Sequence, residues 1–567
     1  LELDEKIIQV QETKKEFEGD WTVVLFPLQK FTKKTINDFA NELGDYLLKN
    51  DKTIKSFNIV SGFLNLEFTD NFWLDILEFS FLPNFELNQT KNATIVLESC
   101  SPNTNKPLHL GHLRNILLGH AMSNILTADG YKVQKVQIIN DRGIHICKSM
   151  LAWIKFGKGE TPEDVNVKGD FFVGKYYVLF EQKYQEEKRE LSKSGIKDEE
   201  LNENSKLLSQ AKAMLRKWES GDKELIQLWQ KMNRWVYDGF ESTYKKIGVD
   251  FDKIYYESDT YLIGKKYILN GLDDGVFHQK EDQSVWVNLD HKKLDSKLLL
   301  RSDGTAVYMT QDIGTAICRY NDFVFDKMIY VVGNEQNHHF NVLFSILNKM
   351  NYSWSNELFH MSYGMVTLPD GKMKSREGNV VDIDDLLIEM HKRAKSVIIK
   401  SNKVDINYVD DLAVMVGDAA LKYFILKPDA KKDLLFNPEE SIDFNGHTGP
   451  FIQYTYARIN SILEKSKDFS VIFTLKRPLL LEEKRLIKLI WNYPLVISQS
   501  SEKLNPAILA NYLFNLAKEY NHFYQKIPIL SVDNLNDVNF RVSLSKKVSV
   551  LIFKGMNLLG IKVPLKM

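Results

Sequence analysis

Residues 93–139 constrain the fold more than any other stretch. An apolar run at 93–97 ends on Glu98, and a turn rich in Pro, Asn, His and Gly follows. A helical pattern then covers 111–129, and a second apolar run covers 133–139. Two strands joined through a helix cannot form a hairpin, so the crossover makes them parallel members of one sheet. Parallel sheets are covered by helices on both faces, so an α/β class is expected. At 567 residues with 44% hydrophobic side chains, the chain can build several cores.

Residues 1–86 read as a small α/β unit, with a helix over 33–49 and a strand-like stretch over 57–68. Pro83, Asn84, Asn88 and Asn92 mark a linker. Residues 176–246 read as a helical insertion between two halves of one sheet. Its first part is charged, and Leu225, Leu228, Trp229, Met232, Trp235, Val236 and Phe240 recur at helical spacing in its second. Its charges are expected on a solvated face. Strand-like segments return at 284–289, 306–309 and 328–332, and a mostly helical remainder starts near 383.

The turn itself carries chemistry. It reads Ser101-Pro102-Asn103-Thr104-Asn105-Lys106-Pro107-Leu108-His109-Leu110-Gly111-His112. Histidines at i and i+3 share a face of a helix's first turn. The turn follows a parallel strand, at the sheet edge where α/β folds bind ligands. Free N–H groups and the helix dipole there favour an anion, and Gly111 lets a flat base approach the backbone. Such a site suits a nucleotide phosphate that gains charge as it is attacked. An isolated H-x-G-H would be read as a structural turn. The flanking Ser-Pro-Asn, Lys-Pro-Leu and Leu113-Arg114-Asn115 raise it above that.

With these flanks the stretch resembles the signature of class I aminoacyl-tRNA synthetases, and specifically their arginyl members. The resemblance implies a Rossmann-like catalytic domain in which His109, Gly111 and His112 contact ATP. It also implies a mobile lysine-rich loop for the departing pyrophosphate. The counterpart here is Gly371-Lys372-Met373-Lys374-Ser375-Arg376-Glu377, in which Ser375 stands at the second lysine's place. Lys106 is expected to compensate, with Arg376 and Lys374 adding positive charge and Lys372 touching ATP.

The amino acid must be read from the pocket. Free arginine offers a planar fork of donors that fits carboxylates. Glu98 ends the first strand, and Tyr308 and Asp312 form an i, i+4 pair. By resemblance these three recognise the side chain, and Asn103 and Gln336 the amino and carboxyl end. His339 and the backbone at Met365 and Val366 are expected to border the adenine.

The resemblance covers nearly the whole chain. It implies an additional tRNA-contacting domain at 1–86 and a catalytic domain at 90–390 with its insertion at about 155–260. Stem helices at 391–450 and an all-α anticodon-binding domain at 451–567 complete it. The expected partners are tRNA(Arg), L-arginine and ATP with Mg2+ held mainly by its phosphates, acting in a cytoplasmic monomer. The formal net charge of -1 shows no global field for RNA, although a local basic stripe can suffice. Cys100, Cys147 and Cys318 lie far apart, so neither a disulfide framework nor a thiolate zinc site is expected. No run is long and apolar enough to suggest a membrane span. Leu1 stands where an initiator Met is expected, so a short native N-terminus is expected to be missing.

Three rivals remain at this point. Small-molecule nucleotidyl transferases share the two-histidine turn but lack a long helical C-terminal region. A cysteinyl enzyme wants zinc-binding cysteines, and a glutamyl enzyme fits a two-acid pocket poorly. An inactive RNA-binding paralogue would have no need of His109, His112, Lys106, Glu98 and Asp312.

Overall fold

The computed structural model describes residues 7–14, 16–83, 85–86, 88–289, 294–367, 381–401, 406–466, 468 and 470–567. Five strands form the central sheet: β1 (Thr94–Glu98), β2 (Lys132–Ile139), β3 (Lys253–Tyr256), β4 (Lys327–Gly333) and β5 (Leu358–Tyr363). Their order is β5-β4-β1-β2-β3, and every pairing is parallel. From β1 the chain builds outward through β2 to β3, then returns to the other side of β1 for β4 and β5. The order therefore reverses between β1 and β4, and the crevice of such a sheet opens beyond the strand ends at that point.

The helix Leu110–Ala128 makes the first crossover. Leu110, Leu113, Ile116, Ala121 and Ile125 are fully buried along it, so it lies inside the protein rather than on its surface. It passes close to the end of β1: a methyl group at Gly119 would sit 2.3 Å from Ser99 Cβ. On the other side of β1, Val96, Ile313, Met328 and Leu343 share one core.

The insertion is helical, at Gly169–Lys193, Lys206–Glu219 and Lys223–Ile247. Ser205 and Asp222 cap the last two, and Gly248 ends the third in the left-handed region at φ 73°. Met232, Val236 and Phe240 are buried, as their helical spacing requires.

Two local expectations fail. Residues 57–68 are not one strand but the hairpin Ile54–Val60 and Phe63–Phe68. Ser61 and Gly62 turn it with φ of 47° and 83°, a two-residue turn without the usual Asn-Gly signal. Residues 306–309 are not a strand either. Val307 is the extended N-cap of the helix Tyr308–Phe323. Only Val307 and Tyr308 favour a strand there, and they gave way to a helix start.

The chain divides into two compact units. One joins Leu1–Glu86, Arg458–Pro494 and Asn515–Ile552. It holds a four-stranded antiparallel sheet, a core around Leu25, Ala40 and Leu64, and Tyr520 and Phe523, both fully buried. Its Arg477 grips Glu483 through two parallel bonds of 2.8 and 2.7 Å. The other unit, Leu87–Ala457, Leu495–Phe514 and Phe553–Met567, contains the parallel sheet. No helix among the described residues is long and apolar enough to cross a membrane.

Candidate active site

His109 is the N-cap of the helix Leu110–Ala128, with φ -122° and ψ 173°. Its Nδ1 accepts from the Gly111 N–H at 3.2 Å, and His112 Nδ1 accepts from the His109 N–H at 3.1 Å. Each ring spends Nδ1 as an acceptor, so each neutral imidazole carries its proton on Nε2. The rings lie 3.8 Å apart, centroid to centroid. A Cβ at Gly111 would come within 3.1 Å of the His109 ring. Burial, reinforced by the Lys106 charge, pushes His109 down to about 3. Burial also holds His112 well below its usual range, with His109 and Lys106 adding to the effect. The pair therefore presents two neutral rings with free N–H groups rather than imidazolium cations.

A cavity of about 530 Å³ opens at the carboxyl ends of the strands. It is lined by Glu98, Asn103, Tyr308, Asp312, Gln336 and His339, so the five residues expected to hold the amino acid share one space. Their positions follow from the sheet. Glu98 ends β1, Gln336 follows β4, and Tyr308 and Asp312 sit on the first turns of their helix. Asn103 pairs as an isolated bridge with Asn140, just past β2. His339, expected beside the adenine, lines this space, with Nε2 2.6 Å from Asp312 Oδ2. That hydrogen bond raises the pKa of His339.

Three charged residues of the cavity were not anticipated from the sequence. Arg319 reaches the Glu98 carboxylate inside the core, and Ser101 Oγ donates to the other Glu98 oxygen at 3.1 Å. Burial opposes the Arg319 charge, but Glu98 beside it more than compensates. Arg142 bonds Glu219 at 2.8 Å and lies 3.8 Å over the Tyr261 ring. Glu257 is buried where β3 passes into the next helix, and burial pushes it up to about 7. A signal for Glu257 did exist: an acid on the residue after a parallel strand, at the helix N-terminus.

Lys106 and His109 line a second cavity of about 290 Å³ with Lys175, Tyr177, Asp382 and Asp385. Burial lowers Lys106. The Tyr177 hydroxyl lies 3.1 Å from Nδ1 of His145, which borders the first cavity. Backbone bonds tie the motif to residues 381–383: Leu110 donates to Val381 and Ile383 donates to Leu108. Lys372, Lys374 and Arg376 lie outside the described residues. Met365 and Val366 precede them, with Val366 in a two-residue strand paired to Leu434–Leu435. Neither lines either cavity.

The family model described as "tRNA synthetases class I (R), catalytic domain" matches residues 82–437, and the "DALR anticodon binding domain" matches 452–567. The chain belongs to the arginyl family of class I tRNA synthetases. It is 52% identical to an arginine–tRNA ligase of Bacteroides thetaiotaomicron, covering 100% of this chain and 96% of that one. In fold it resembles the arginyl-tRNA synthetase of Thermus thermophilus, with a TM-score of 0.82 at 23% identity over 99% of this chain and 96% of that one. It also resembles that of Plasmodium falciparum, with a TM-score of 0.76 at 19% identity over 99% and 97%.

Proposed function

We propose that the chain activates L-arginine with ATP to arginyl-adenylate and transfers the arginyl group to the terminal adenosine of tRNA(Arg). The observation that carries this reading is the charge left over in the larger cavity. Arg319 is matched by Glu98 and Arg142 by Glu219. Asp312 has only the titratable His339 as a partner, and Glu257 has no ion pair among the described residues, so both are open to a cationic ligand, and they lie close enough for Asp312 to bear on the Glu257 pKa. Two acids in a cavity that Tyr308 also lines suit the planar fork of a guanidinium. Glu98, whose charge is already answered, borders the ligand, with Asn103 and Gln336 at its amino and carboxyl end.

In the first step the arginine carboxylate attacks the α-phosphorus of ATP and pyrophosphate leaves. Negative charge grows on the phosphate oxygens, and the Nε2–H groups of His109 and His112 are the donors for it. The Lys106 ammonium supplies positive charge there, and by family resemblance Lys372, Lys374 and Arg376 serve the departing pyrophosphate. At the nucleotide base, the Met365 and Thr367 carbonyls accept from Leu434 and Phe436. By the alternation of a strand, the Val366 N–H and C=O face away from that partner. One donor beside one acceptor matches the N1 and N6 edge of adenine. Mg2+ is read as a companion of the ATP phosphates. In the second step the 2′-hydroxyl of the terminal adenosine attacks the arginyl carbonyl of the adenylate, forming the ester as the bond to phosphate breaks and AMP leaves, with the hydroxyl proton given up. Family membership supports a cytoplasmic monomer.

The pocket charges make a pH test. As pH falls through about 7, Glu257 gains a proton. His339, raised by Asp312, becomes the imidazolium that competes for that same acid. Arginine stays cationic throughout, so both changes weaken its binding. The KM for arginine is expected to rise about tenfold from pH 8 to pH 6. Glu257→Gln is expected to flatten much of that rise. A KM for arginine independent of pH in the native protein contradicts the assignment.

A further inference from the structure

Arg114, two residues beyond His112, has no place in the chemistry above. Its side chain is nonetheless among the most unusual in the protein. It is fully buried, and no carboxylate lies within ion-pair distance of it among the described residues. One terminal nitrogen donates to the carbonyls of Gly364 at 2.7 Å and Met365 at 3.1 Å. The other donates to those of Ala430 at 3.1 Å and Lys432 at 2.7 Å. Burial lowers its pKa, with Tyr363, Asp433 and Asp429 opposing from a distance. A buried guanidinium answered by four carbonyls has a fixed geometry, because its planar fork cannot satisfy them in any other orientation.

Those four carbonyls belong to two chain segments that run past each other. Gly364 N–H donates to Ala430 at 2.9 Å, and Leu434 N–H donates to Met365 at 2.8 Å. The Met365 N–H donates to the Asp433 carboxylate at 2.7 Å. The crossing is tight: a Cβ at Gly364 would lie 2.5 Å from the Lys432 backbone. Arg114 thus joins the helix that carries His112 to the backbone leading into Val366.

We infer that Arg114 is a positioning residue for the nucleotide, setting the register of residues 364–366 against the helix that carries the catalytic histidines. The inference rests on the reading of Val366 as the adenine border. A clamp without that role would affect folding, or both substrates equally. This one is expected to act on the base alone.

The test is Arg114→Lys, whose single ammonium cannot span four carbonyls. Thermal unfolding and calorimetric titration with arginine establish that the fold and the amino-acid pocket persist. In tRNA-dependent pyrophosphate exchange the KM for ATP is expected to rise about tenfold or more, with the KM for arginine unchanged. The preference for ATP over inosine triphosphate, which lacks the N6 amine, is expected to fall by a similar factor. An intact protein with an unchanged ATP KM and unchanged base preference overturns the inference, as does a parallel rise in both KM values. Should Arg114→Lys not fold, Asp433→Ala probes the same register from an exposed position. A raised ATP KM with unaltered arginine KM supports the inference, and an unaltered ATP KM overturns it. A native protein that does not prefer ATP over inosine triphosphate refutes the adenine reading at Val366 itself.

Discussion

His112→Ala lowers ATP–pyrophosphate exchange by about 10²- to 10³-fold, the range expected for removing one preorganised donor from a site of developing negative charge. The effect belongs mainly to kcat. Both His112 and His109 are held neutral, and both present Nε2–H because Nδ1 is occupied by a backbone N–H. Such a donor is aimed at charge that grows in the transition state, so its loss changes the barrier more than the ground state. Circular dichroism of the variant is expected to match the native protein, since the helix behind His112 is held by its own buried face. Undiminished exchange would remove His112 from the mechanism.

Asp312→Ala raises the KM for arginine by about 10²-fold or more and leaves the KM for ATP within about twofold, as expected when one partner of a shielded charge pair is deleted. Asp312 is one of two acids in the cavity not answered by an arginine of the protein, and its other neighbour, His339, loses its own partner in the variant. Steady-state pyrophosphate exchange with each substrate varied separately reads the result. If the ATP KM moved and the arginine KM did not, the cavity would belong to the nucleotide.

Much of this site was legible in the sequence, for identifiable reasons. Glu98, Asn103, His109 and His112 lie within 15 residues of one another, on a strand end and the turn after it, so one local pattern carries them. Tyr308 and Asp312 were carried over by the family resemblance, and the helix places this i, i+4 pair at its start. Glu257 was overlooked although its place just after a parallel strand was a signal, and Arg319 was not found because its role arises from tertiary pairing. Arg319 matters because it meets Glu98 from 221 residues away, and no local spacing encodes that meeting. The same pairing changes the weight on Glu98, which looked like a free acid and has a guanidinium of its own. The parallel sheet was foreseen from one strand–helix–strand unit. The hairpin at Ser61-Gly62 was not, because Ser-Gly announces a two-residue turn less strongly than Asn-Gly or Asp-Gly.

Arg114 shows how much a motif can hold beyond its catalytic groups. The Leu113-Arg114-Asn115 tail served at first to separate a functional turn from a chance one. In the fold, Asn115 accepts from the Cys100 N–H and donates to the Val331 carbonyl and the Tyr363 hydroxyl. It thereby ties together the ends of β1, β4 and β5, while Arg114 ties the next segment to the same helix. The reacting groups and the frame that aligns them are written into adjacent residues.

The most direct test is charging of unfractionated tRNA with each of the labelled amino acids in turn, in the presence of ATP. The account predicts ATP-dependent attachment of arginine to tRNA and background levels for every other amino acid, lysine included. Attachment of a different amino acid, or no attachment by a protein shown to be folded, would contradict it.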